Sequence, residues 1–296
     1  MLKNSEILFL YDAKLCNPNG DPDEENRPRM DYERDVNLVS DLRLKRYLRD
    51  YLALQGEEIF VAKIDDEPVK AATRIEKLGK ELGKDEILDR LIDVRLFGAT
   101  MPIEKNTMTF TGPLQFNWGY SLNKVQLLES SITSHFSSDE GKSQGAMGKD
   151  YRVKYSLLAF SGIFSGHRAI KTRAKEEDLT KLDLAMVKAI PLLATRSKVG
   201  QYPRLYLRVE YVDQLTVLGD LRSYISLVEK NEDLRDISEA AIQIEGLVQH
   251  LAANVDRIHH IYYYQNKDLE LMSGSETGDL ENLLGDKLRG KLVEVR

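Results

Sequence analysis

Strand-type and helix-type patterns alternate along this chain, and long polar excursions separate them. That order constrains the fold more than any single motif. Glu6 to Lys14 reads as a first strand, because Ile7 to Tyr11 form a short apolar run that stops at Asp12. The segment 17–38 follows and opens on Asn17-Pro18-Asn19-Gly20-Asp21-Pro22-Asp23, which is dense in turn signals. A loop this long inside a compact domain is usually functional or disordered. A helix is predicted next. Ser40 suits the N-cap, Asp41 suits the positive end of the helix dipole, and Leu44, Tyr47, Leu48 and Tyr51 form one apolar stripe. Lys45, Arg46 and Arg49 project from the other side, with Arg43 at its edge, and Gly56 is the stop. The expectation is a helix with a hydrophobic back and a cationic front.

Residues 57–93 look like an acidic, mostly helical insertion. Leu91 to Thr100 reads as a second strand, and Thr107 to Leu122 is β-rich but punctuated by Gly112-Pro113. Residues 137–148 are small, polar and Gly-rich, as in a mobile loop or hairpin tip. Tyr151 to Ala159 alternates, with Val153, Tyr155, Leu157 and Ala159 on one side and Arg152, Lys154 and Ser156 on the other. A second insertion, Glu176 to Ala194, carries a helical stripe of Leu182, Met186 and Ile190. Leu205 to Val212 reads as a half-polar strand, Ser238 to Asn254 as an amphipathic helix, and Ile258 to Tyr264 as the final strand. The tail from Ser273 reads as partly loose. A β-α-β-β-α-β ferredoxin-like core of about half the chain, carrying insertions, accommodates this α+β order. The length of 296 residues fits one large domain with insertions, or two domains.

Charge is distributed unevenly. The net charge of −6, from 42 Lys and Arg against 48 Asp and Glu, argues on its own against a nucleic-acid partner. Between Gly141 and Lys175, however, eight cations face the single acid Asp150. That window is +7 and the remainder of the chain is −13. Arg27 to Arg49 is a second basic stretch, and Arg196, Lys198, Arg204 and Arg208 form a third without an acid. This pattern yields either a patchy solvated surface or a basic groove on an acidic body, the latter being what a phosphate-backbone binder needs.

Catalytic and metal signatures are weak. Cys16 is the only cysteine, so there is no disulfide framework or CxxC knuckle, and a reducing cytoplasm fits best. With Gly20 at position six of a calcium loop, Leu15 and Asn26 fall at positions one and twelve, and the template fails. The five histidines form no HExxH, and no GxSxG, GxxxxGK[ST] or GxGxxG occurs. No cofactor is expected. No apolar run suits a signal peptide or a membrane span, so no membrane partner is expected either. RNA-binding signals are better, although the aromatic RNP1 consensus is missing. They are the helix cations, Arg29 in the loop before them, and the basic window around the Gly-rich tip. Met147, at that tip, either packs on its own body or acts as an apolar wedge between stacked bases.

Several motifs then converge. Asn17-Pro18-Asn19-Gly20-Asp21-Pro22, Asn26, Pro28-Arg29, Asp31, Val39 to Arg46 and Arg49-Asp50-Tyr51 are followed in order by Asp93 to Ala99, Gly112 to Gln115, Ser121-Leu122, Met147-Gly148-Lys149 and Tyr155. Together they resemble the signature of CRISPR Cascade backbone subunits (the Cas-seven superfamily), most like type I-B and next type I-C. The resemblance implies an RRM-like palm over 1–56, 91–131, 155–170 and 200–270. It implies helical fingers over 57–90, an extended thumb over 132–154, a second insertion over 171–199 and a C-terminal tail over 271–296. It implies several copies stacked head to tail along one crRNA, with guide pairing to target DNA supplying sequence choice. Other Cascade subunits, the large one and the crRNA-processing or capping ones, would be the further partners. By the same resemblance Arg29, Ser40, Arg43, Lys45, Arg46 and Arg49 face the RNA. Lys142, Met147, Lys149, Arg152 and Lys154 in the thumb, and Arg168 after it, are expected to bind the RNA as well. The subunit is expected to be non-catalytic and cytoplasmic. The alternative is a type III-like subunit with metal-dependent endoribonuclease activity at Asp21, Asp23 and Asp31. A small-ligand enzyme is a third reading.

Overall fold

The computed structural model describes residues 1–62, 67, 71–79, 82–103, 106–133 and 147–296. Its centre is a ten-stranded sheet. The first strand, Ser5–Cys16, lies between two long antiparallel neighbours, Met147–Phe164 and Gln201–Tyr211. Outward from Gln201–Tyr211 come Ile258–Gln265 and then Leu292–Glu294. On the other side, Met147–Phe164 pairs with Leu114–Phe116, Gly119–Ser121 and Leu127–Thr133, and the sheet continues to Val36–Val39 and Met30–Asp31.

Both faces of the first strand are covered, which is why its apolar run does not alternate with polar residues. Ile7, Phe9, Tyr11 and Ala13 pack beneath two helices, Asp41–Leu54 and Glu176–Leu192. Leu8 and Leu10 face a second core, built with Leu221, Ile242, Leu247, Leu271 and Leu284 from the C-terminal third. Each such buried aliphatic side chain contributes about 1.5–3 kcal/mol. A third, smaller core joins Phe60, Ile75, Leu78, Ile87, Leu91, Val94 and Met101 around the 57–101 region, where the helices Ala71–Leu78 and Lys84–Arg90 lie.

Several sequence expectations require correction. Leu91 to Thr100 is not one strand. Ile92–Phe97 is helical, and Gly98, at φ +77°, turns the chain into the strand Gly98–Ile103. Its alternating pattern misled because Asp93 and Arg95 are buried too, each inside an ion pair. Ser238 to Asn254 is likewise divided. Ala240–Gln243 is a strand between Ser226–Glu229 and Glu270–Ser273, and only Glu245–Ala253 is α-helical. Strand pairing there overrides the local helical pattern. Gln201–Tyr211 is buried on both faces rather than half-polar, because Arg208 is held by Asp183 and Glu210. Ile258–Gln265 is not the last strand. Glu270–Ser273, Glu276–Gly278 and Leu292–Glu294 follow, and Leu280, Leu284 and Leu288 bury the segment that had read as a loose tail.

Candidate nucleic-acid interface

The long segment after the first strand is held as paired turns. Gly20–Asp21 pairs with Arg27–Pro28, and Met30–Asp31 pairs with Val36–Val39. Asn19 ties it to the basic helix: its Oδ1 accepts from the Ser40 amide at 2.9 Å and from the Ser40 hydroxyl at 3.0 Å. Ser40 Oγ in turn accepts from the Arg43 amide at 3.3 Å, so Ser40 is the expected N-cap. Its hydroxyl is thus already engaged on both sides.

The helix does not present a free cationic front. Lys45 is 6% exposed; its Nζ lies 3.1 Å from Asp41 and donates to Gln115 Oε1 at 3.1 Å. Arg49 is 9% exposed and bonds Asp93 at 3.0 Å beneath the Phe97 ring region. Arg46 pairs with Asp50 one turn on, at 2.8 Å. Sequence counts charges but does not show that Asp93, far along the chain, neutralises Arg49. Arg43 is the exception. Its guanidinium stacks 4.0 Å over Tyr47, its Nε is buried without a hydrogen-bond partner, and among the described residues it has no carboxylate partner.

Lys198, from the third basic stretch, meets Arg43 at the same place. Its Nζ donates to the carbonyls of Asn17, at 2.5 Å, and Pro18, at 3.3 Å. Burial, and then the neighbouring Arg43 charge, pull its pKa down to about 8. Lys198 thus lies under the Asn17-Pro18 turn, near enough for the Arg43 charge to act on it, and among the described residues neither cation has a carboxylate partner. The stretch was visible in the sequence, but its burial and its neighbour were not. The rest of that stretch is not surface: Arg204 is buried on Asp12 at 2.8 Å and Arg208 on Asp183 at 2.6 Å.

Leu127–Thr133 and Met147–Val153 form a two-stranded ribbon, Thr133 opposite Met147. Leu128 to Ile132 are all exposed, so this ribbon stands away from the cores. Its cations are partly neutralised. Lys149 lies 3.5 Å from Glu129 and 3.8 Å from Glu25, and Arg152 bonds Asp150 at 2.8 Å. Among the described residues Lys154 donates only to the neutral Gln126 amide oxygen, at 2.9 Å. Lys142 and the Gly-rich tip to residue 146 lie outside the described residues. Arg168 is exposed beside Lys84, Asp85 and Lys171, lining one hollow. Arg29 pairs with Asp21 at 2.8 Å and its guanidinium lies 5.9 Å from the Trp118 ring.

The acidic loop does not gather its carboxylates. Asp21 is taken by Arg29 and the Asp23 amide, and Asp31 accepts from the Glu33 amide at 3.1 Å. Cys16 is fully buried, with its thiol pushed up to about 12 by burial. The face of the first strand bearing Leu8 and Leu10 is covered by the C-terminal third, so bases have no open surface there on which to stack. This accounts physically for the missing RNP1 aromatics. Among the described residues, no helix is long and apolar enough to cross a membrane.

The profile of the family described as "CRISPR-associated protein Cas7" matches residues 3–245. A CRISPR-associated protein Cas7 of Haloferax volcanii is 35% identical over 311 aligned positions, covering 93% of this chain and 91% of that protein. Two solved structures share the fold. A chain of a "CRISPR RNA-guided surveillance complex, pre-nicking" superposes with a TM-score of 0.54 at 11% identity, over 89% of this chain and 93% of that one. A chain of a "CRISPR RNA-guided surveillance complex" gives 0.53 at 14% identity, over 89% and 90%.

Proposed function

Because the chain belongs to the CRISPR-associated Cas7 family, we propose that it is a non-catalytic, crRNA-binding backbone subunit of a type I Cascade complex, of subtype I-B. Several copies stack head to tail on one guide. A heterologous contact that does not close on itself yields a filament, which suits a long linear ligand. The protein grips backbone phosphates, and guide pairing to target DNA carries the sequence choice. Other Cascade subunits complete the assembly, which works in the cytoplasm.

The observation that carries this reading is the Arg43–Lys198 pair. Lys198 is held only by neutral carbonyls and Arg43 stacks on Tyr47, so among the described residues neither charge is balanced by a carboxylate, and a phosphate oxygen would balance both. Arg168, Lys171 and Lys154 also have no acidic partner among the described residues and leave further positive charge unneutralised elsewhere on the chain. Ser40, Lys45, Arg46 and Arg49 act in this account by shaping the helix and its turn, and Arg29 by holding Asp21. Lys149 and Arg152, paired with acids, position the ribbon.

The strand order supports an RRM-like palm. Gln201–Tyr211, Ser5–Cys16, Met147–Phe164 and Gly119–Ser121 lie side by side, antiparallel, as the four strands of a ferredoxin-like core do. The separate core at 57–101 supports a fingers unit, and the exposed ribbon supports a thumb that begins near Leu127, with Met147 toward its tip.

The test is to purify the chain from cells expressing a CRISPR array and to compare its ultraviolet absorbance at the nucleic-acid and protein maxima. The proposal expects co-purified RNA whose sequences are guides, protected at regular spacing. Nucleic-acid-free protein that also fails to bind added guide RNA contradicts it. Regular metal-dependent cuts in complementary RNA, lost in Asp21→Ala, favour the endoribonuclease reading.

A further inference from the structure

The sheet breaks register at the far end of Gln201–Tyr211. Glu210 stands opposite His260, and Tyr211 stands opposite Ile258. His259 is therefore an extra residue, a β-bulge. In a regular strand two consecutive side chains leave on opposite faces, and a bulge re-aims one of them. Here it brings both histidines to one carboxylate. One donor atom from each of Glu210, His259 and His260 lies within 4.8 Å of the other two. His259 Nδ1 is 3.0 Å from Glu210 Oε1, and His260 Nδ1 is 3.8 Å from the same oxygen.

The second distance is too long for a hydrogen bond. His260 Nδ1 is nonetheless buried and has no partner. Such an orphan calls for something between it and the carboxylate. Arg208 Nη1 lies 3.6 Å from Glu210 Oε2, but Arg208 is already bound twice by Asp183, at 2.7 and 2.6 Å. Glu210 thus keeps Oε1 for a further cation. Lys3 is the other cation acting on His260.

We propose that this bulge builds a transition-metal site of the Zn²⁺ class, with His259, His260 and Glu210 as ligands. Two imidazoles and one carboxylate suit Zn²⁺ and its neighbours, whereas Mg²⁺ and Ca²⁺ prefer all-oxygen sets. Around tetrahedral zinc, with bonds of about 2.0–2.2 Å, adjacent donors stand about 3.4 Å apart. The two observed separations bracket that value. The histidine side chains are 42% and 38% exposed, so the ion has a way in and a fourth position open to water. A bound ion cross-links the two strands where the bulge interrupts their ladder.

The experiment uses the untagged full chain, stripped with chelator. It is titrated with Zn²⁺ by calorimetry and with Co²⁺ by visible absorption. The expected result is one ion per chain, with the intense Co²⁺ bands of a four-coordinate site. His259→Ala and His260→Ala should each weaken Zn²⁺ binding by about tenfold or more without changing the metal-free melting temperature. His259 is exposed, so its variant folds and decides the matter even if Glu210→Gln does not fold. Binding only at millimolar Zn²⁺, or affinity unchanged in the His259→Ala/His260→Ala double variant, overturns the proposal.

Discussion

Arg49→Ala separates a structural role from an RNA-binding one. Asp93 is 1% exposed and accepts from Arg49 Nε at 3.0 Å, from the Phe60 amide at 2.8 Å and from the Val61 amide at 3.1 Å. Removing the guanidinium leaves a buried carboxylate held by two backbone donors and no counter-charge. Breaking one partner of such a pair costs about 3–5 kcal/mol, a large part of the roughly 5–15 kcal/mol that holds a domain folded. Arg49→Met combined with Asp93→Asn removes the stranded charge and should recover part of that loss, the remainder reflecting the Asn NH2 that replaces one of the two oxygens accepting from the Phe60 and Val61 amides. Urea denaturation followed by circular dichroism reads the three proteins. In parallel, RNA affinity against salt is measured under conditions where each is folded. The expected result is a lower denaturation midpoint for Arg49→Ala, partial rescue in the double variant, and an unchanged salt slope in both. An unchanged midpoint with a slope reduced by about 0.7, the loss of one single-strand phosphate contact, would refute the reasoning and make Arg49 a phosphate ligand.

Three further outcomes are expected. Lys198 titrates near 8 in the folded chain against 10.5 ordinarily, so between those values the unfolded chain binds more protons and stability rises with pH. RNA affinity should move the opposite way, falling as pH rises through about 8, and Lys198→Met should remove that dependence in a fluorescence titration. Met147→Gly should leave guide loading intact and impair target pairing in a gel-shift assay; loss of loading would contradict a wedge role. Gly112→Ala places a Cβ 2.2 Å from the Phe97 carbonyl carbon and 2.4 Å from the Gly98 amide, backbone that has no room to yield. Calorimetric melting should show a loss of about 1–3 kcal/mol or more, whereas Gly290→Ala, with nothing within 4 Å, should melt as the parent does.

What could be read from sequence was whatever depends on neighbours along the chain. The Ser40 cap, the stripe of Leu44, Tyr47, Leu48 and Tyr51, and the stripe of Leu182, Met186 and Ile190 all appear as expected. So does the alternation of elements that supports the central sheet. What escaped depends on partners distant in sequence. Ile92–Phe97 has the period of a strand because Asp93 and Arg95 find Arg49 and Asp178 across the fold. Ala240–Gln243 is a strand because two other strands pair with it. Lys45, Arg49, Arg204 and Arg208 counted as surface charge but are spent internally on Asp41, Asp93, Asp12 and Asp183. Positive charge along a sequence is therefore an upper limit on positive charge available to RNA. Lys198 shows the converse, since its lowered pKa comes from burial and the Arg43 charge, under a turn formed 180 residues earlier in the chain.

The central claim is that the Arg43–Lys198 pair grips guide phosphate without reading sequence. The direct measurement is the salt dependence of binding to several unrelated guide RNAs, for the parent chain and for Arg43→Gln and Lys198→Gln. The account predicts that each substitution weakens all guides alike and lowers the log–log slope by about 0.7. A loss confined to some sequences, or weaker binding with the parent slope retained, would contradict it.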